Sequence, residues 1–199
     1  MTVNYNTISY RNITPAIDPS SFIAPNAVIS GDVEIGKESG IWYGCIIRGD
    51  VAKISIGNYS NIQDCTIIHG TRPNHAQNKT GKDGASVKIG DYVTIGHRAI
   101  IHACTINSFS FIGMGSIIMD LATIEEYSMV AAGAVVTPGK IVKSKEIWAG
   151  NPAKFFRHMT DVELEYIKIS AENYAELAKE YKAEEDKAKE YKEIALNNQ

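Results

Sequence analysis

Paired cysteines are missing from this sequence. Its three, Cys45, Cys65 and Cys104, are odd in number and show no CxxC spacing, which argues against a disulfide framework and against a cysteine-based zinc ribbon. They are expected as small buried residues. A basic excess is also missing. Lys and Arg number 20 against 23 Asp and Glu, for a net charge of −3, so the field that drives phosphate neutralisation is absent and nucleic acid is not an expected partner. No run approaches the roughly 18 uninterrupted apolar residues that a membrane span needs. The opening MTVNYNTISYRN has neither a basic segment leading into an apolar one nor an Arg-rich amphipathic pattern. The expectation is a soluble, cytoplasmic protein with no membrane partner. With 199 residues and 44% hydrophobic content, the chain suits one substantial domain plus an appendage.

A repeat decides the architecture. Ile23, Ile29, Ile35, Ile41 and Ile47 are each six residues apart, and the spacing returns at Ile56, Ile62 and Ile68, at Ile89, Ile95 and Ile101, and from Ile106 through Ile112, Ile118, Ile124, Val130 and Val136. A period of six fits neither a helix nor a long two-sided strand, but it fits short strands joined by regular turns. Three such strands make a triangular coil, and a coil buries its aliphatic row only by stacking on the next. Glycine after the aliphatic residue, as at Gly36, Gly57, Gly90, Gly96 and Gly113, suits tight corners. The expected fold is mainly β, a parallel β-helix of hexapeptide repeats with a C-terminal α-helix. The register breaks at residues 51–55 and 70–86. The second break, rich in Gly, Asn and Lys, reads as a surface loop. Ile101 to Ile106 is one residue short, as a tightened corner would be.

Past Val136 the pattern fades, and Thr160 with Glu163 forms a capping-box signature. Leu164, Ile167, Ala171, Tyr174, Ala178 and Tyr181 then trace one apolar helical stripe, and from Lys182 the mostly charged run reads as a solvated, fraying end. The expected division is a β-helix domain over residues 1–157, an N-terminal strand or cap included, and a helix packing on it over 158–199 with a charged tail.

Coil arithmetic can be applied to the histidines, three steps per coil with each register break counted as one. His69 and His102 each follow an isoleucine and fall on equivalent places of consecutive coils, with Arg48 one coil earlier on the same ridge. Strands on neighbouring coils lie about 4.8 Å apart, close enough for two imidazoles to converge on one metal ion. Two histidines stacked on an exposed ridge bring no packing gain, so a shared metal is the better reason for them. His97 lies second after Ile95 on another side of the triangle, with Asp64 one coil away and Gln63 beside it. One chain does not close such a site, and a threefold homotrimer that sets the two half-sites face to face does. His75 and His158 lack this phase and read as surface residues, His75 also as a possible proton carrier.

The RGD at 48–50, NIQD at 61–64, His69 and GHxxxxH at 96–102 resemble the γ-class carbonic anhydrase family, over about residues 23–157. The GNPAK and following helix are also similar, an ending shared with hexapeptide acyltransferases. The resemblance implies a left-handed coil and a homotrimer in which His69 and His102 of one subunit and His97 of the next bind the metal. Zinc is expected, with iron or cobalt equally suited to imidazole. A hydroxide held by the metal would hydrate CO2 to bicarbonate. Gln63 would hydrogen-bond the metal-bound oxygen, Arg48 and Asp50 would form a cross-subunit ion pair, and Asn61 and Asp64 would orient the site. Tyr174 resembles a tyrosine near the family's site, although its place on the apolar stripe favours packing. Val51 stands where archetypal members carry a carboxylate, and the loop after His69 offers Arg72, His75, Lys79 and Asp83 rather than an acidic cluster. In these departures the chain resembles a shorter γ-carbonic-anhydrase-like branch, whose members are expected to act on CO2 weakly, to act on thioesters, or to serve as non-catalytic assembly subunits. A hexapeptide-repeat acyltransferase using acyl-CoA and a histidine base is the alternative.

Overall fold

The computed structural model describes residues 7–73 and 84–197, with side chains as far as residue 188. The chain winds as a left-handed parallel β-helix with three faces. Its first face stacks Phe22–Ile23, Gly40–Ile41, Asn61–Ile62, Thr94–Ile95, Phe111–Ile112 and Met129–Val130, each paired in parallel with the next. The second face stacks the opening halves of Val28–Ile35 and Ile46–Ile56 with Ile67–His69, Ile100–His102, Ile117–Ile118 and Val135–Val136. The third carries the closing halves of the same two long strands, then Val87–Ile89, Thr105–Ile106, Thr123–Ile124 and Ile141–Val142.

The six-residue isoleucine period becomes the core directly. Ile29, Ile47, Ile68, Ile101 and Ile118 stack along the second face, and Ile41, Ile62, Ile95 and Ile112 along the first, all fully buried. Each contributes roughly 1.5–3 kcal/mol of apolar burial. Because every aliphatic residue meets its equivalent one coil on, the register is set by identical shapes stacking.

The register break at 51–55 lies inside a strand. Ile46–Ile56 is one strand that carries its pairing with Val28–Ile35 round a corner, with a register shift between Gly31 and Val33. Glycine makes this bend possible. A Cβ on Gly49 would come within 2.3 Å of the Asp32 carbonyl oxygen, and Gly31, at φ +77°, faces the Gly49 carbonyl in the same way. Both obstacles are backbone and do not rotate aside. Gly49→Ala is therefore expected to destabilise the fold by about 1–3 kcal/mol, the range for forced overpacking, with a matching drop in the urea midpoint and no change in its slope.

In the second break, the described ends close through a bridge between Thr71 and Ala85; His75, Lys79 and Asp83 lie outside the described residues. The shortened step after Ile101 turns at Ala103, with φ 47°. Another corner also uses left-handed backbone at side-chain-bearing residues. Tyr59, Tyr92, Phe109 and Tyr127 all have φ of 54–56° and stack nearly parallel with centroids 4.9–5.0 Å apart. A left-handed residue costs roughly 1–2 kcal/mol, and aromatic stacking of roughly 0.5–1.5 kcal/mol per pair offsets much of it. Cysteine placement needs one correction. Cys45 and Cys104 are buried, and burial pushes both thiols up, Cys45 to about 12. Cys65 is exposed, at a left-handed corner with φ 60°.

The helix Asp161–Asn197 begins with a reciprocal cap. The Glu163 N–H donates to Thr160 Oγ1 at 3.3 Å, and the Thr160 N–H donates to Glu163 Oε2 at 2.9 Å. Arg157 grips both oxygens of the same carboxylate. Ile167, Ala171 and Ala178 are buried against the first face, where Gly40 leaves room for Trp42 and Ala178. The helix span includes the charged run that begins at Lys182. Among the described residues no helix is long and apolar enough to cross a membrane.

Arg157 and the Thr160 N–H hold the Glu163 carboxyl down to about 2, below its ordinary 4.5. A depressed acid stabilises the fold fully above its unfolded value and loses that contribution as pH falls toward its folded one. The melting temperature of Glu163→Gln should therefore trail the parent above pH 4.5 and converge on it toward pH 2. The gap should be at most about 1 kcal/mol, since the pair is solvent-screened.

Candidate metal centre

Strand register on the second face sets Arg48 beside His69 and His69 beside His102. Each histidine is aimed by a carboxylate. Asp50 Oδ1 lies 2.9 Å from His69 Nε2, and Asp120 Oδ1 lies 2.7 Å from His102 Nδ1. On the neighbouring corner, Asp64 Oδ2 lies 2.7 Å from His97 Nδ1. An ionised carboxylate only accepts, so in each neutral ring the nitrogen facing it carries the hydrogen and the other nitrogen is left with a lone pair.

That assignment has a consequence for the stacked pair. The two remaining nitrogens, His69 Nδ1 and His102 Nε2, face each other at 3.3 Å. Two lone pairs so close repel unless a cation lies between them. Nitrogens each bound to a tetrahedral zinc at 2.0–2.1 Å sit about 3.3–3.4 Å apart, so the separation of the two nitrogens fits a shared metal ion. His69 is also held below the ordinary histidine range, by burial first and then by Arg48 and His102, against the pull of Asp50. A neutral ring is the form that ligates.

The surrounding charges are settled. Arg48 pairs with Asp50 within the one chain, so Asp50 bridges the guanidinium and the His69 ring. Burial pushes the Asp50 carboxyl up, and the bonds to His69 and Arg48 outweigh it and leave it below the usual range. Asp120 is lowered in the same way, by Thr71 Oγ1 and His102 against burial. Arg48, Asp50, Val51, His69, Gly70, Thr71, Arg72 and His102 line a recess of about 310 Å³.

Asp120 and Thr71 were missed in the sequence. Asp120 is the second residue after Ile118, one coil beyond His102, and a search for carboxylates one coil from each histidine would have found it. His97 and Gln63 line a separate cleft, also about 310 Å³, together with Tyr174 and Ser170 of the helix. Gln63 Nε2 donates to Asn61 Oδ1 at 3.1 Å. The Tyr174 ring packs on Trp42 at 5.7 Å, and its hydroxyl is pushed up by burial and by Asp64. His158 is exposed in the terminal strand Lys154–His158.

Among the described residues no three His, Cys, Asp or Glu side chains gather around one point of the single chain. The stacked pair supplies two donors, one fewer than a catalytic zinc takes from protein. Next to this pair the second face is apolar on its outside. Ile46, Ile67 and Ile100 pair in register and are 43%, 43% and 40% exposed, an aliphatic strip of the kind that marks a contact surface.

No family model matches the chain. Individual relatives do. A γ carbonic anhydrase 2, mitochondrial, of Arabidopsis thaliana is 46% identical over 91% of this chain, which spans 63% of that protein's length. Among solved structures, a hexapeptide transferase family protein from Anaplasma phagocytophilum is 49% identical, covers 90% of this chain and 99% of its own, and superposes with a TM-score of 0.82. A carbonic anhydrase of Geobacillus kaustophilus is 40% identical over 87% of this chain and 90% of its own length. Identity of that order, sustained over nearly the whole of a relative, makes the relationship one of descent as well as of fold: the chain belongs to the γ-class carbonic anhydrase family.

Proposed function

We propose that this protein is a metal-dependent enzyme that hydrates CO2 reversibly to bicarbonate, with its site completed between neighbouring copies of a homotrimer. The observation that carries the reading is the pair of ring nitrogens on His69 and His102, 3.3 Å apart, with a carboxylate on the far side of each ring. Zinc, iron or cobalt suits these donors and, when bound, supplies a Lewis acid that makes water nucleophilic near neutral pH.

His97 of a neighbouring copy is the third donor in this reading. Its Nδ1 is committed to Asp64, which leaves Nε2 to ligate, and the exposed strip at Ile46, Ile67 and Ile100 gives the neighbouring copy an apolar surface to bury beside the other two rings. Asp50, Asp64 and Asp120 fix ring orientation and make each imidazole a better donor. Arg48 offsets the Asp50 charge. Gln63 hydrogen-bonds the reacting water, and Asn61 holds the Gln63 amide. The recess at His69 and His102 suits both substrate and product. Val51 offers apolar surface to CO2, and the guanidinium groups of Arg48 and Arg72 attract the bicarbonate anion.

The test is metal analysis joined to stopped-flow CO2 hydration on one anaerobically prepared sample. About one metal ion per chain together with hydration supports the proposal. Full occupancy without hydration removes the enzyme claim. Metal-free protein that binds acetyl-CoA turns the reading to an acyltransferase.

A further inference from the structure

Behind Gln63 runs a line of buried polar side chains that ends on the C-terminal helix. Gln63, Asn61, Thr94 and Ser170 are 6%, 1%, 0% and 5% exposed. Gln63 Nε2 donates to Asn61 Oδ1 at 3.1 Å, and Asn61 Nδ2 donates to Thr94 Oγ1 at 2.9 Å. Thr94 Oγ1 in turn lies 3.4 Å from Ser170 Oγ, the longest link. Thr94 and Asn61 are register partners on adjacent coils, so their side chains stack on the outer side of the first face, where the helix packs.

The line has a direction. Thr94 Oγ1 already accepts from Asn61, and its own hydrogen is available to Ser170 Oγ, either hydroxyl of that pair being able to donate. The Asn61 amide, with its nitrogen spent on Thr94, presents oxygen to Gln63, and Gln63 must answer with its nitrogen. That leaves the Gln63 carbonyl oxygen for the cleft it shares with His97 and Tyr174. Reversing the amides would reverse every bond in the line, and Ser170 would have to donate rather than accept. A serine inside a helix usually directs its hydrogen to the carbonyl of the preceding turn, which favours the first arrangement.

We infer that Thr94 and Ser170 are positioning residues: through Asn61 they fix the Gln63 amide so that its oxygen, an acceptor, faces the reacting water. The consequence for catalysis rests on the hydration reading, whereas the orientation of Gln63 does not. An acceptor receives a hydrogen bond from the water and leaves the oxygen lone pair turned toward CO2, where a donor would compete for that lone pair.

The experiment uses the full-length, metal-loaded protein labelled with nitrogen-15 in glutamine side chains. Only Gln63, Gln77 and Gln199 then give amide signals. Side-chain amide exchange is followed beside CO2 hydration kinetics in the parent, Thr94→Val, Thr94→Ser and Ser170→Ala. The Gln63 amide should exchange most slowly in the parent. Exchange should speed up and kcat fall about tenfold in Thr94→Val and Ser170→Ala with KM little changed, as expected for the loss of one hydrogen bond felt in the transition state. Thr94→Ser, which keeps the hydroxyl, should restore both. Unchanged Gln63 exchange in Thr94→Val and Ser170→Ala overturns the inference, and so does a Thr94→Ser protein as defective as Thr94→Val, since the threonine would then act by shape. If the exchange pattern holds and the parent protein shows no hydration, the orientation of Gln63 stands and the hydration reading fails.

Discussion

Replacing His102 with alanine is expected to leave a folded protein that no longer retains its metal and hydrates CO2 no faster than buffer. The ring supplies one of two nitrogens that converge at 3.3 Å, and among the described residues a lone His69 has no second histidine facing its Nδ1. Asp120→Asn should be milder. Asparagine can still accept from His102 Nδ1, but the charge that strengthens the imidazole as a donor is gone, and the expected loss in metal affinity is about 10–100-fold. His158→Ala, at an exposed position of the terminal strand, should retain both metal and activity. Inductively coupled plasma analysis of the three proteins after dialysis, with hydration rates on the same samples, checks the order. A His102→Ala protein with full metal content would remove the stacked pair from the account.

Placing a charge on the outer strip of the second face should take the assembly apart. Ile100→Glu is expected to convert a trimer, at three times the chain mass of 21.8 kDa, into a monomer. Ile100 is 40% exposed in the single chain, so the glutamate is accommodated when the copy stands alone and is desolvated only in the interface. An unpaired charge buried there costs several kcal/mol per contact, enough to shift association by several orders of magnitude. Sedimentation velocity reads the mass, and an unchanged far-ultraviolet spectrum separates dissociation from unfolding. Metal retention should fall with the trimer, because His97 and the stacked pair then belong to separate particles. A monomeric variant that holds its metal as tightly as the parent would show that one chain completes the site.

The six-residue period made the β-helix legible, because each isoleucine stacks on its own equivalent and nothing distant is needed to place it. The same phase set Arg48, His69 and His102 on one row, where strand pairing now lies. Other features depend on contacts that no local period encodes. The strand Ile46–Ile56 turns a corner only because Gly31 and Gly49 let two backbones approach, and in sequence this looked like an interruption. Its sequence context marks Cys65 as a small core residue, whereas it occupies an exposed left-handed corner. Asp120 escaped notice because its partner is 18 residues earlier on the preceding coil, and Ser170 because its partner Thr94 is 76 residues away. The apolar helical stripe led to Tyr174 as a packing residue, and it does pack on Trp42 while also lining the cleft of Gln63 and His97.

The most direct test is a crystal structure of the anaerobically purified protein with diffraction recorded on both sides of the metal absorption edge. The account predicts one anomalous peak per chain about 2.0–2.1 Å from His69 Nδ1, His102 Nε2 and the Nε2 of His97 from an adjoining copy. No peak between the two stacked rings in a sample shown to contain metal, or a peak there with no histidine from another chain, would contradict it.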